Sequence, residues 1–511
     1  MSSMAATASK TAYDQLISKL QIITQLKRVE SVLSYDRMVF MPKAPETAMA
    51  RGAQMSAMAA VVHEKSTDPA LRKLLDAAEQ EVPTMTGNPD APRILELTRK
   101  TLELTSRIPA ELETRKAQHG AVAHGAWAKA RETKHFASFV PALAECFDIA
   151  KEVAAAKREN DSVELYDQML DDFEMGMGAS RIDQVFSEIE GALVPLLERV
   201  RKSEHLPLTE PLKGKFPIDT QKSICQDIVT TLGYDDKHGR IDVAVHPFTS
   251  SLAPSDVRIT SRFSDDEWVQ GLAATIHEGG HAMYEQNLGP SGLEIDQALS
   301  MGVHESQSLF WERHVGKSKA FWKWATPKLA EGYSDFNYTP CEVYAAINAV
   351  KPDNMIRVEA DELTYPIHVL LRYRLEKEII EGNLKVEEIP ASWNASMKAL
   401  LGVDVPDDAQ GCLQDIHWSA FAIGYFPTYL LGSSMAAQLA HYCQKDIPDM
   451  YEKIEKGEFA EIKAWLTSKV HKHGKRYKSL DDLLEAQVGE KLNAKYFIEY
   501  LTTKYSELYK C

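Results

Sequence analysis

A chain of 511 residues can bury a large core, and length alone allows several domains. An apolar fraction of 44% with 26% charged residues fits a globular protein, and no stretch approaches the roughly 18 apolar residues of a membrane span. A formal charge of −16 argues against nucleic acid as a partner.

In chain order, "MSSMAATASKTAYDQL" lacks a basic segment followed by an apolar run, so a secretory leader is not expected and the stretch reads as a frayed end. Apolar residues then return at three- and four-residue steps through "AYDQLISKLQIITQLKRVESVLSYDRM", predicting a long helix that ends before Pro42. The same pattern fills "ETAMARGAQMSAMAAVVHEKSTDPALRKLLDAAEQ" and "RILELTRKTLELTSR", with breaks at Pro69, Pro83, Pro89, Pro92 and Pro109. Helices are expected again at "PALAECFDIAKEVAAAKREN", "RIDQVFSEIEGALVPLLERV" and "QKSICQDIVTTLG". Strand signals gather in one place, Gly239–Phe263, where short β-branched runs separated by Pro and Ser predict a small sheet just before the next helix. After Arg357, "VEADELTYPIHVLLRYRLEKEIIEG" predicts another long helix with a bend near Pro366, and at least three more follow in the last hundred residues. The basic run "KVHKHGKRYKSLDD" reads as a solvated turn between helices. No repeat or low-complexity linker divides the chain, so one mostly helical body over residues 1–511 is expected. Six scattered cysteines (146, 225, 341, 412, 443 and 511) form no C-x-x-C pair and point to a reducing compartment, with the cytoplasm as the expectation.

The chemistry concentrates at "HEGGH", His277 to His281. On a helix, residues four apart share a side, so both imidazoles can reach one ion while Glu278 flanks it and handles a proton. A catalytic zinc needs three protein ligands and one open position, so a third must come from elsewhere. Glu305 in "MGVHESQSLFWERH" is the candidate, 24 residues beyond His281, which leaves room for a turn and a second helix. Its apolar neighbours would bury the carboxylate, which is costly unless it is paired or metal-bound; pairing with Arg313 or Lys319 is the alternative. Gly279 and Gly280 each cost about 1 kcal/mol against alanine inside a helix, so something approaches closely there, a ligand or the Glu305 helix itself. Further polar clusters surround the motif: His246, Asp256 with Arg258, Arg357 with Asp361, and Gln414, Asp415, His417, Trp418 and Tyr425. Arg357 lies in an otherwise apolar segment. A buried guanidinium needs an anion, either Asp361 one helical turn on or the carboxylate of a bound substrate.

"HPF" (246–248), "DVRIT" (256–260), "HEGGH" (277–281), "HESQ" (304–307), "IRVEAD" (356–361) and "GCLQDIHW" (411–418) occur in one order. In them the chain resembles the thermostable (Taq-type) carboxypeptidase family of zinc metallocarboxypeptidases, the trypanosomatid members above all. "SYDRMVFMP" is similar to a family element that usually carries glutamine where Met38 stands. The resemblance implies a mainly α fold with a deep groove and a small β-sheet beside the active site, similar to neurolysin and angiotensin-converting enzyme. It implies a cytoplasmic homodimer that releases single C-terminal amino acids from peptides with a free carboxylate, with broad preference and poor action on terminal proline. By that resemblance His277, His281 and Glu305 hold one Zn²⁺ per chain, for which Co²⁺ can substitute, and Glu278 is the base. Tyr425 and Arg357 stand near the scissile amide and the substrate carboxylate, and His246, Arg258, His304 and His417 sit around the pocket.

Two other functions remain to be separated from this one. A zinc endopeptidase or oligopeptidase would use the same ligands but cleave amidated peptides as well as free acids. A non-catalytic peptide-binding scaffold would be marked by loss of Glu278 or a ligand, and neither is missing.

Overall fold

Proline sets the helix boundaries of the N-terminal third. Helices run Ala12–Val39, Pro45–Ser66, Pro69–Glu81, Ala91–Arg107 and Ala110–Thr133, with proline in the first turn of the second, third and fourth and as N-cap of the fifth. There its missing N–H leaves no bond unmade and its fixed φ suits helix entry. This computed structural model describes residues 10–82 and 87–511; Met1–Ser9 and the break expected at Pro83 lie outside them. The fifth helix escapes a reading of apolar periodicity because its only buried residues are Ala123 and Ala130.

The remaining expected helices are present, at Val140–Lys157, Ala179–Lys202 and Ile218–Leu232, and then from Val269 onward to Lys495–Tyr509. One hydrophobic cluster runs from Ala130 to Tyr509, and a smaller one joins Tyr13, Leu16, Leu71 and Leu75 of the N-terminal helices. The basic run near the C-terminus is more than a solvated turn. Its Lys475 pairs with Glu294, Arg476 with Asp90 and Asp296, and Lys478 with Glu96, so these charges clamp the N-terminal helices to the body. No described helix is long and apolar enough to cross a membrane.

The sheet has three strands, β1 (Gly239–Val243), β2 (Thr249–Ala253) and β3 (Asp256–Ser261), in the order β1-β3-β2. β2 and β3 form an antiparallel hairpin, and β1 lies parallel to β3. Val257 and Ile259 of β3 are fully buried, and the sheet packs on the helix Val269–Gln286. The fold is thus mainly α with a small sheet, as expected.

One long helix divides into two pieces of different character. The stretch after Arg357 does not continue as a helix: Arg357–Glu359 is a single 3₁₀ turn, and the helix begins only at Tyr365, with Pro366 in its first turn. Proline is favoured in the first turn of a helix, where its missing N–H leaves no bond unmade, and Pro366 accordingly marks the start of this helix rather than a bend within it. Asp361 therefore does not lie one helical turn below Arg357. Its carboxylate accepts the N–H groups of Lys351, Leu363 and Thr364.

Candidate active site

The helix Val269–Gln286 carries His277, Glu278 and His281, and the helix Met301–Leu309 carries Glu305. The glycine pair explains how the two come together. A Cβ on Gly280 would lie 2.6 Å from Ser308 Cα and 2.7 Å from the Gln307 carbonyl oxygen, and one on Gly279 would lie 2.4 Å from Val229 Cγ2. Side chains there would push the neighbouring helices away. On the far side of Glu305, a Cβ on Gly432 would come within 2.8 Å of Glu305 Cβ, so the helix Phe426–Asp446 closes in equally tightly.

Glu305 Oε2 lies 3.5 Å from His281 Nε2 and 3.8 Å from His277 Nε2. These three residues offer donor atoms all within 4.8 Å of one another, the separation that a metal ion needs. A tetrahedral ion with bonds of about 2.0–2.1 Å sets its donors roughly 3.3 Å apart, so the residues fit a zinc-like cation with little movement. Of the alternative partners for Glu305, Lys319 pairs with Glu507, and Arg313 hydrogen-bonds Ser433 and acts on Glu305 through its charge.

Glu312 orients the first ligand. Its Oε2 lies 2.9 Å from His277 Nδ1, leaving Nε2 to face Glu305, and its other oxygen pairs with Lys317 at 3.0 Å. A carboxylate on the second ring nitrogen fixes the tautomer and raises ligand basicity. Glu312 stands on a π-helical turn, Phe310–Gly316, that continues the Glu305 helix; such widened turns recur at functional sites. Burial pushes the His277 imidazole down, but Glu305 and Glu312 outweigh it and hold it at about 9. Burial likewise works against the Glu305 carboxylate, and the two histidines with Arg313 hold it at about 2. Three carboxylates, Glu278, Glu305 and Glu312, stand here with two imidazoles, a donor set that suits a cation.

Glu278 is 7% exposed. Thr249, the first residue of β2, sets its hydroxyl 2.7 Å from Glu278 Oε2, so the sheet does line one wall of the site. His304 does not point at the ligand atoms. Its ring stacks on His281 at 4.3 Å and its Nε2 lies 3.0 Å from Glu285, an arrangement that steadies His281.

A second cluster is positive. Arg357 is 5% exposed and donates through Nε and Nη2 to Asp415 Oδ1 at 3.0 and 2.9 Å. Arg372, fully buried, donates to the other oxygen of Asp415 at 2.6 Å. The internal brace of Arg357 is thus Asp415 and not Asp361. Burial pushes the Arg372 guanidinium down to about 10, with Arg357 adding to the effect, while both arginines hold Asp415 below the usual carboxylate range against its burial. Two guanidinium groups share one carboxylate, so one positive charge is left over.

Aromatic side chains connect the two clusters. The Tyr365 hydroxyl receives Arg357 Nη1 at 3.2 Å, and Arg313 lies over the Tyr365 ring. Tyr425 and Tyr429 meet edge to face at 5.2 Å, and burial together with the Glu305 charge keeps both phenols above their usual range. His417 Nε2 lies 3.1 Å from the Tyr429 hydroxyl, and burial pushes this imidazole down to about 4. Arg258 is held by Asp256 through two hydrogen bonds of 2.9 and 2.8 Å, over the Tyr35 ring. His246 is exposed in the connection from β1 to β2. Among the described residues, no hydrogen bond or ion pair joins either of them to the His277–His281–Glu305 cluster.

Sequence reasoning missed Glu312, Thr249, Tyr365, Tyr429 and Arg372. Glu312 alone left a signal, since it follows Glu305 by seven residues, two helical turns on one face.

The pattern of the Carboxypeptidase Taq (M32) metallopeptidases matches residues 15–505. The chain belongs to this family. Carboxypeptidase 1 of Bacillus subtilis is 38% identical over 449 residues, 87% of this chain and 88% of that one. The crystal structure of the M32 carboxypeptidase from Deinococcus radiodurans superposes with a TM-score of 0.94 at 33% identity, covering 98% of this chain and 100% of the other. Metallocarboxypeptidase 1 of Trypanosoma cruzi gives 0.92 at 34% identity, over 98% and 99%. The chain is therefore a peptide hydrolase of the metallocarboxypeptidase type, and a divalent metal belongs to its chemistry.

Proposed function

We propose that this M32 metallopeptidase releases single amino acids from the C-termini of peptides, with zinc held by His277, His281 and Glu305. The observation that carries the reading is the His277–His281–Glu305 cluster in one site with two buried arginines that share Asp415 and leave one positive charge over, Arg357 donating to Tyr365. A peptide C-terminus has the complementary form, a scissile carbonyl one residue from a carboxylate.

Bound zinc acts as a Lewis acid and lowers the pKa of a water it holds, and cobalt suits the same donor set. Glu278, steadied by Thr249, accepts the proton of the attacking water and returns it to the departing amine. Tyr425 donates to the oxyanion, where a fixed donor does most for the rate. Arg357, with Arg372 sharing its counter-ion, draws the substrate carboxylate. His417 holds Tyr429 and His304 holds His281, while Arg258 and His246 belong to the outer wall of the pocket. A C-terminal proline makes the scissile amide tertiary, with no N–H to donate, and that fits slow release of this residue within an otherwise broad preference.

The same proposal includes a single catalytic body over residues 1–511, supported by the family match across nearly the whole length. A cytoplasmic location is supported by the absence of disulfides among the described residues, whose six cysteines are free. Homodimerisation follows from the family resemblance, and light scattering that gave the mass of one chain at every concentration would remove it. The function itself is tested with a peptide supplied as free acid and as C-terminal amide. Loss of cleavage on amidation supports the carboxypeptidase; equal cleavage of both makes the enzyme an endopeptidase with the same metal.

A further inference from the structure

Glu305 stands on a helix whose first turn is tied to a segment 128 residues earlier in the chain. The Met301 N–H donates to the Phe173 carbonyl at 2.8 Å, and the Gly302 N–H donates to Glu174 Oε2 at 2.8 Å. Glu174 is fully buried. The approach requires glycine, because a Cβ on residue 302 would lie 2.3 Å from that oxygen. Ser300 already caps the helix locally by accepting the Val303 N–H. Helix N-termini leave several N–H groups unpaired, and a carboxylate there satisfies them and complements the helix dipole. A nearby serine would serve that purpose alone. A carboxylate from a distant segment also fixes where the helix lies along its axis.

The same segment reaches the other half of the site. The Phe173 ring meets Tyr425 edge to face at 5.1 Å. A Cβ on Gly424, at φ +95°, would lie 2.9 Å from the Met169 carbonyl oxygen, so the residue before Tyr425 is seated directly on this segment. The Gly424 N–H donates to Glu376 at 2.6 Å, and Glu376 also accepts the Tyr166 hydroxyl at 2.7 Å. Residues 166–174 therefore contact the starts of both helices, the one bearing Glu305 and the one that begins after Tyr425.

We propose that Glu174 is a positioning residue which, with Phe173, sets the separation between Glu305 and Tyr425 and so couples metal retention to stabilisation of the oxyanion. This rests on the reading of Glu305 as a metal ligand and Tyr425 as an oxyanion donor. A metal ligand displaced by a fraction of an ångström loses affinity, and an oxyanion donor so displaced loses rate.

The test uses the full chain with Glu174→Ala, Glu174→Gln and Phe173→Leu, measuring zinc dissociation by chelator competition, kcat and KM at saturating zinc, and the thermal midpoint. Glu174→Ala should weaken zinc retention by about 10-fold, the low end for groups that support a ligand, and lower kcat more than it changes KM. Glu174→Gln should restore zinc retention, because its amide oxygen still accepts from Gly302. Phe173→Leu should leave zinc retention unchanged and lower kcat. If Glu174→Ala fails to fold, Glu174→Asp, one methylene short of Gly302, takes its place with the same expected loss. A lowered thermal midpoint with zinc retention and kcat unchanged overturns the proposal and leaves Glu174 as a structural cap. Glu305→Gln measured in parallel separates the two readings: if it too keeps zinc, the ligand assignment fails, and if it loses zinc while the Glu174 variants keep it, only the positioning role fails.

Discussion

The metal pocket and the arginine cluster are built in opposite ways. Two helices, with the π-helical turn that continues the second, supply His277, Glu278, His281, Glu305 and Glu312 within 36 residues, three carboxylates with two imidazoles. Arg357, Arg372, Asp415 and Tyr365 come from a 3₁₀ turn, a helix and a loop, and bases outnumber acids. The polarity across the site is therefore assembled from a local motif on one side and a long-range network on the other. The two imidazoles are spaced by one helix face, and Glu305 reaches them from the second helix. The leftover positive charge arises where two distant guanidinium groups converge on one buried carboxylate, an arrangement no single helix can provide.

Breaking the negative half should have the largest effect. Glu278→Gln keeps size and nearly keeps shape but cannot accept a proton, so turnover should fall by about 100-fold or more while bound zinc remains at one equivalent. Turnover and metal content measured on one preparation check this; near-native turnover with zinc bound would assign the base elsewhere. Arg357→Met attacks the positive half. Losing a charge-assisted contact to the substrate carboxylate should lower kcat/KM for free-acid peptides by about 10- to 100-fold and leave any residual action on amides unchanged. Equal losses on both would make Arg357 a brace for Tyr365 and Asp415. Glu312→Gln sharpens the contrast by loosening His277 without removing a ligand. Zinc dissociation followed by chelator competition should rise by about 10-fold or more, and an unchanged constant would leave Glu312 serving Lys317 alone.

The smallest expected effect lies between the two halves, at Glu376. Burial holds this carboxyl up at about 7 despite its bonds from Tyr166, Gly424 and Trp418. A group whose pKa is higher folded than unfolded stabilises fully below the unfolded value, and that contribution is lost as pH rises through the folded one. Stability should thus decline from about pH 4.5 to pH 7 by up to about 3 kcal/mol from this group. Denaturant midpoints across that range should fall less steeply in Glu376→Gln than in the parent; parallel slopes would show that the carboxyl titrates normally.

Most of the candidate metal cluster was legible because helical spacing is a property of sequence. His277 and His281 share a face by being four apart, the glycine pair announced a close neighbour, and Glu305 lay within one helical hairpin. Glu312 was legible in principle by the same periodicity. Of the arginine cluster, Arg357 and Asp415 were legible and Arg372 was not. Asp361 was the internal partner offered for Arg357 beside a substrate carboxylate, and the helix that this spacing assumed does not form there. The actual partner, Asp415, is 58 residues away.

The sequence by itself determined the mainly helical body with one small sheet, the three candidate ligands and Glu278. Each of these follows from periodicity, composition or spacing within a few turns of chain. Tertiary structure alone decided that Arg372 shares Asp415, that Thr249 meets Glu278 and that Glu174 ties down the Glu305 helix. Those contacts join segments 29 to 128 residues apart, and only the packing of buried surfaces selects which distant polar groups must satisfy one another.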